Sequence, residues 1–169
     1  VWAKVGAEFG VPFKNYYDEA ETDAEKLPPF RNTPITDEER VQGQLLATRA
    51  GYAMGRLNQG AQVKDSRLVR DAAHASNAEM VFAIAEKFDN PGDRFSNKED
   101  DKRQALKKQV SGGTGWAVEM ALQQGKPVYV FDQSTNQWWG NVNGVWFECP
   151  ETPTITTDNF AGIGTRQIN

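Results

Sequence analysis

The stretch that most constrains this chain is Val110-Ser111-Gly112-Gly113-Thr114-Gly115-Trp116-Ala117-Val118-Glu119-Met120-Ala121, followed by Leu122-Gln123-Gln124-Gly125-Lys126-Pro127 and Val128-Tyr129-Val130-Phe131-Asp132. Three glycines in four residues argue against a helix or strand interior, where glycine loses the most backbone entropy, so a loop is expected at Ser111–Gly115. A helical pattern begins directly behind it. Trp116 or Ala117, then Met120 and Ala121, repeat at helical spacing, Gly125 suits the residue just past a helix end, and Pro127 blocks continuation. The apolar run Val128–Phe131 then reads as a buried parallel strand. Loop, helix and strand make half of a βαβ unit. A glycine-rich loop at a helix N-terminus offers backbone N–H groups and the positive end of the helix dipole to an anion such as phosphate. A ligand is therefore expected against Ser111, Gly112, Gly113, Thr114 and Gly115.

The remaining chain supplies alternating helix and strand patterns. Val1–Gly10 reads as the last turns of a helix closed by Gly10, and Val11–Tyr17 as a short strand. A polar, proline-punctuated loop follows to Pro34. Thr36-Asp37-Glu38-Glu39 forms a capping box, and Val41, Leu45, Leu46, Ala50, Met54 and Leu57 follow at helical spacing, predicting the longest helix over Asp37–Leu57 with that stripe as its core face. A second helix is predicted near Ser66–Ser76, carrying Arg67, Arg70 and the only histidine, His74. A strand at Glu79–Ile84 comes next. Glu86–Lys108, with Asn90-Pro91-Gly92-Asp93 and the mixed charge run Lys98–Arg103, reads as an exposed insertion. Gln137–Glu148, rich in tryptophan and containing Asn143-Gly144, predicts a β-hairpin.

Composition narrows the function classes. A chain of 169 residues with 38% hydrophobic content suits one globular domain. A net charge of -4 provides no bulk attraction for a polyanion, which disfavours nucleic acid as partner and leaves Trp138, Trp139 and Trp146 as the only stacking candidates. The single cysteine, Cys149, cannot form an internal disulfide and fits a reducing compartment, so a cytoplasmic location is expected. No run approaches the roughly 18 apolar residues of a membrane span. Neither a Cys/His cluster nor a His-Glu-x-x-His string is present, so no metal, nucleophile triad or cofactor is expected, and chemistry falls to carboxylates, backbone amides and arginines.

Gly112-Gly113-Thr114-Gly115-Trp116-Ala117-Val118-Glu119 resembles the Gly-Gly-x-Gly-Thr-x-x-Glu motif of the "lonely guy" phosphoribohydrolases, once called lysine decarboxylases, which belong to the SLOG superfamily of Rossmann-like nucleotide-binding domains. Trp116 stands where those enzymes carry threonine, and Ser111 rather than proline precedes Gly112. Phe160-Ala161-Gly162-Ile163-Gly164-Thr165-Arg166 resembles the first strand and phosphate loop of other SLOG members, including phage-encoded relatives of DNA-processing protein A. That string normally opens such a domain, whereas here it closes the chain. The loop that precedes the first helix in those relatives is absent, so the chain is expected to lack flanking segments at both ends.

The resemblance implies a ligand role for Arg70, because SLOG relatives carry an arginine near the phosphate on the helix before the strand that Glu79–Ile84 matches here. It implies the same for Gly162, Gly164, Thr165 and Arg166, and since α/β sheets bind ligands at the carboxyl ends of their strands, the loops Ser111–Gly115, Asp132–Ser134 and Gly162–Arg166 are expected to converge there, with Asp132 as a further contact. It also implies that Glu119 assists cleavage of the N-glycosidic bond of a nucleoside monophosphate, by positioning water or stabilising the cationic ribose. The expected architecture is a single α/β domain, Rossmann-like and three-layered, with a mainly parallel sheet flanked by helices plus a small β-hairpin. The expected ligand is a nucleotide or other phosphorylated small molecule, hydrolysed, sensed or sequestered. Single-stranded DNA binding and assembly into a homo-oligomer are the further partner readings.

Overall fold

A computed structural model describes residues 2–89 and 108–165. In chain order its elements are α1 (Trp2–Glu8), β1 (Tyr16–Tyr17), β2 (Thr33–Pro34), α2 (Asp37–Ala53), α3 (Ser66–Ser76), β3 (Met80–Ala85), β4 (Phe88–Asp89), β5 (Gln109–Val110), α4 (Gly112–Gln123), β6 (Val128–Asp132), β7 (Gln137–Val142), β8 (Val145–Cys149) and β9 (Phe160–Gly164). The insertion's Asn90–Asp93 turn and Lys98–Arg103 charge run lie outside the described residues.

Five strands form one sheet in the order β8-β7-β6-β3-β9. β3 pairs in parallel with β6 on one side and β9 on the other, while β7 runs antiparallel to both β6 and β8. The class is α/β, but the sheet is mixed rather than mainly parallel. Connection length explains it: α4 gives the crossover that returns the chain from β3 parallel into β6, whereas residues 133–136 can only turn it back. The hairpin is therefore part of the main sheet. Its tip, Asn143 at φ 55° and Gly144 at φ 82°, has the left-handed pair of a two-residue turn.

Strand alternation divides the sheet into two unlike faces. Val81, Ala83, Ala85, Val128, Val130, Ala161 and Ile163 join Ala47, Ala50, Ala72, Ala75, Ala117, Met120 and Ala121 of the helices in one buried core. On the opposite face Phe82 stacks on Tyr129 at 5.3 Å between ring centres and meets Phe160 and Trp138 edge-on. There α1 lays Trp2 over Gly162, donating its indole N–H to the Ile163 carbonyl at 3.0 Å. A Cβ at Gly162 would fall 2.2 Å from the Trp2 ring, so this glycine exists for the contact.

Local signals placed the helices well. Thr36 and Glu39 form the reciprocal cap of α2, and Asp65 caps α3 by accepting from the Arg67 N–H. At the other end of α3, Lys126 Nζ donates to the carbonyls of Ala75, Ser76 and Ala78 at 2.6, 2.6 and 2.5 Å. Three expectations require correction. The Val11–Tyr17 strand shrinks to Tyr16–Tyr17. The Val41–Leu57 stripe divides: Ala50 and Met54 are buried and Leu46 and Leu57 pack against the core, whereas Val41 and Leu45 are 56% and 50% exposed and the core side at their level belongs to Gly43, Ala47 and Gly51. Small side chains let α2 approach α3 and α4 closely, and Val41, Leu45 and Tyr52 point outward. α2 also stops at Ala53, with Gly55 at φ 67° breaking it before Leu57.

Candidate functional site

The carboxyl ends of the parallel strands β3, β6 and β9 lie side by side, the position at which α/β sheets bind ligands. Backbone hydrogen bonds tie them together. Gln133 N–H reaches the Ala85 carbonyl at 3.1 Å from one side, and Thr165 N–H reaches the Ile84 carbonyl at 3.1 Å from the other. Ser111 joins the same end through Lys87: its N–H donates to the Lys87 carbonyl at 2.9 Å, and its Oγ accepts the Lys87 N–H at 3.1 Å. The segments around Ser111, Asp132 and Gly164–Thr165 therefore meet around the end of β3. Arg166 lies outside the described residues.

The glycines do not form a separate loop as expected; they are the first turn of α4 itself. Ser111 is the cap in extended conformation, Gly112 has φ 62°, and Ser111 gives the helix no side-chain hydrogen bond. Its hydroxyl being spent on Lys87, the first N–H groups of α4 receive no capping oxygen from it. The three glycines differ in use. A Cβ at Gly112 or Gly113 would meet nothing within 4 Å, whereas at Gly115 it would lie 2.1 Å from the Val110 carbonyl oxygen and 2.9 Å from the Arg56 guanidinium. Gly115 is a packing position and Gly112–Gly113 an open lip. Thr114 is buried in the same turn.

Arg56 is the residue that sequence reasoning missed. From just beyond α2 it donates to the Gly112 carbonyl at 2.7 Å, to the Val110 carbonyl, and to Gln109 Oε1 at 3.1 Å. It thus holds the loop carbonyls on one side and adds a full positive charge beside the partial positive charge of the helix N-terminus. No local pattern marks it, because its partners are more than fifty residues away.

The other predicted residues have partners of their own, and Arg70 stands apart from the end of β3. Asp132 is buried and accepts from Ser134 N–H at 2.9 Å and Ser134 Oγ at 2.7 Å, closing the turn after β6. Gly162 is covered by Trp2, and Gly164 closes β9 beside the same ring. Arg70 donates to the Lys26 carbonyl at 3.1 Å and lies 3.8 Å from Asp71, and no partner of it belongs to the glycine turn. Around Arg70, burial pushes the Asp71 carboxyl up to about 6 and the His74 imidazole down to about 4, with His74 packed edge-on to Tyr16.

Glu119 stands on the flank of α4, one helical turn beyond Gly115. It accepts from Gln123 Nε2 at 3.1 Å and lines a groove of about 240 Å³ with Gln109, Lys108, Asn141 and Trp146. Lys108 covers the Trp139 ring at 3.6 Å, and Phe88 packs between Trp139 and Trp146. Trp138 lies on the opposite face against Phe131, so the three tryptophans form no common stacking platform. Among the described residues no group of three or more His, Cys, Asp or Glu side chains is placed to hold a metal ion, and no helix is long and apolar enough to cross a membrane. Comparison with protein-family models, curated proteins and solved structures finds no match to this chain.

Proposed function

We propose that this chain is a nucleotide-binding protein of the SLOG type, with a Rossmann-like βαβ unit in β3, α4 and β6 and the ligand phosphate held by the first turn of α4. The observation that carries the reading is the open lip at Gly112 and Gly113, where a helix N-terminus without a side-chain cap reaches the carboxyl end of a parallel strand. A phosphate there accepts backbone N–H bonds, and the Arg56 charge behind the turn lowers its electrostatic cost. Ser111, Gly112, Gly113, Thr114 and Thr165 are the nearest ligand contacts in this reading. Asp132 and Gly115 support the turn from within.

For catalysis, Glu119 is the proposed acid–base group for cleaving the N-glycosidic bond of a nucleoside monophosphate, with the sugar lying along the flank of α4. One contact favours the alternative, binding without turnover: the Glu119 carboxylate is already held by Gln123. Calorimetric titration with a panel of nucleoside monophosphates tests binding, and chromatography of the same mixtures for free base tests turnover. Binding with base release supports the enzyme, and binding alone supports the sensor. No heat with any nucleotide or with inorganic phosphate ends the nucleotide reading.

A further inference from the structure

Helix α2 carries two apolar faces, and the fold uses only one. Gly43, Ala47, Ala50 and Gly51 face α3 and α4, with the Gly43 Cβ position 3.0 Å from Val69 Cγ1. Val41, Leu45 and Tyr52 stay 56%, 50% and 40% exposed. Glu38 and Arg49 share that outward face. Both are exposed, and neither has a hydrogen-bond or ion-pair partner among the described residues. Glu38, Val41, Leu45, Arg49 and Tyr52 follow one another by three or four residues, so they form one stripe. Glu38 and Arg49 are about three turns apart, roughly 16 Å along the same side of the helix.

We propose that this stripe is an isologous interface between two copies of the chain, with α2 lying antiparallel to α2 of the second copy. A two-fold axis crossing the helix between Gly43 and Gln44, midway from Glu38 to Arg49, sets each Glu38 opposite Arg49 of the second copy. Two symmetric ion pairs then bracket the apolar centre. In that register Val41 faces Leu46 of the second copy, and Leu45 faces its Gln42. Leu46 and Gln42 line a groove of about 370 Å³ between α2 and α3, floored by Ala72 and Ala73, so the Val41–Leu45 ridge of each copy seats in the groove of the other.

Charge complementarity is what selects a second copy as the occupant. The stripe carries an acid and a base that are unpaired among the described residues, and an antiparallel second copy pairs each with the other. The antiparallel arrangement also sets the two α2 dipoles in opposition.

Sedimentation velocity over a concentration series reaching about 100 µM tests the interface. The wild type is expected to dimerise. Leu45→Glu should raise the dissociation constant about 100-fold or more, since it places a charge at the apolar centre. Glu38→Arg or Arg49→Glu alone should raise it about tenfold, and the Glu38→Arg/Arg49→Glu double variant should return it to within about threefold of wild type. Far-UV circular dichroism checks each fold, and Leu45→Ser replaces Leu45→Glu if the latter unfolds. A monomer throughout the series, a dimer indifferent to Leu45, or a double variant no tighter than the singles would overturn the proposal.

Discussion

The Arg56 guanidinium donates to the Gly112 carbonyl at 2.7 Å, joining the third residue beyond α2 to the first residue of α4 across 56 positions of sequence. With its bonds to the Val110 carbonyl and Gln109, it turns three acceptors toward itself and leaves the N–H side of the glycine turn outward. Arg56→Met removes a fork that satisfies carbonyls of a close-packed turn, so a stability loss of about 1–3 kcal/mol is expected by urea unfolding. Arg56→Lys, with one point charge in place of the planar fork, should recover only part of it. Equal stability of all three proteins would show that the clamp does nothing.

Gly113 and Gly115 separate the two uses of the glycines. Gly115→Ala forces a methyl to within 2.1 Å of the Val110 carbonyl oxygen, and such overpacking costs about 1–3 kcal/mol. Gly113→Ala meets open space, and alanine's higher helix propensity should leave stability unchanged or raise it by up to about 1 kcal/mol. If the lip holds phosphate, Gly113→Ala still loses nucleotide affinity in calorimetry. A thermal melt of both variants settles the packing assignment without any ligand.

His74 and Asp71, one turn apart on α3 beside Arg70, oppose each other in acid. His74 is held down to about 4 by burial, so its contribution is present above pH 6.5 and is lost as pH falls towards 4, where the unfolded chain binds more protons. Asp71 is pushed up to about 6, so the folded chain takes its proton first, and stability is gained as pH falls from 6 towards 3.8. Each effect is worth about 1–3 kcal/mol, and between pH 6 and 4 they largely cancel. Relative to wild type, Asp71→Asn should therefore lose stability over that interval and His74→Gln should gain it. Parallel profiles for the three proteins would refute the burial argument.

Glu119→Gln tests the proposed chemistry. Half-buried on the flank of α4 with Gln123 as its one hydrogen-bond partner among the described residues, Glu119 contributes little to the fold, so the variant should melt like wild type. As the acid–base group, its loss should lower base release about 10²–10⁴-fold while nucleotide binding persists. Undiminished turnover in the folded variant would remove Glu119 from the reaction.

Signals carried by neighbouring residues were legible in the sequence. The Thr36–Glu39 cap, the Ser66–Ser76 helix, the Asn143-Gly144 tip and the stop at Gly125 each depend on backbone conformation or on bonds spanning three or four residues, so a short window contains the whole cause. The glycine string likewise announced a helix N-terminus at the end of a strand. Tertiary structure alone decided the rest. It put Gly43, Ala47 and Gly51 rather than Val41 and Leu45 on the core side of α2 beside Ala50, because closeness of packing outweighed side-chain hydrophobicity once α3 and α4 came near. It brought Arg56 to Gly112 and Lys126 to the end of α3, partners set by the path of the chain through space. It left Glu119 on a flank and Arg70 beside Asp71, since a helix turns about 100° per residue and the register against its neighbours determines where each side chain points.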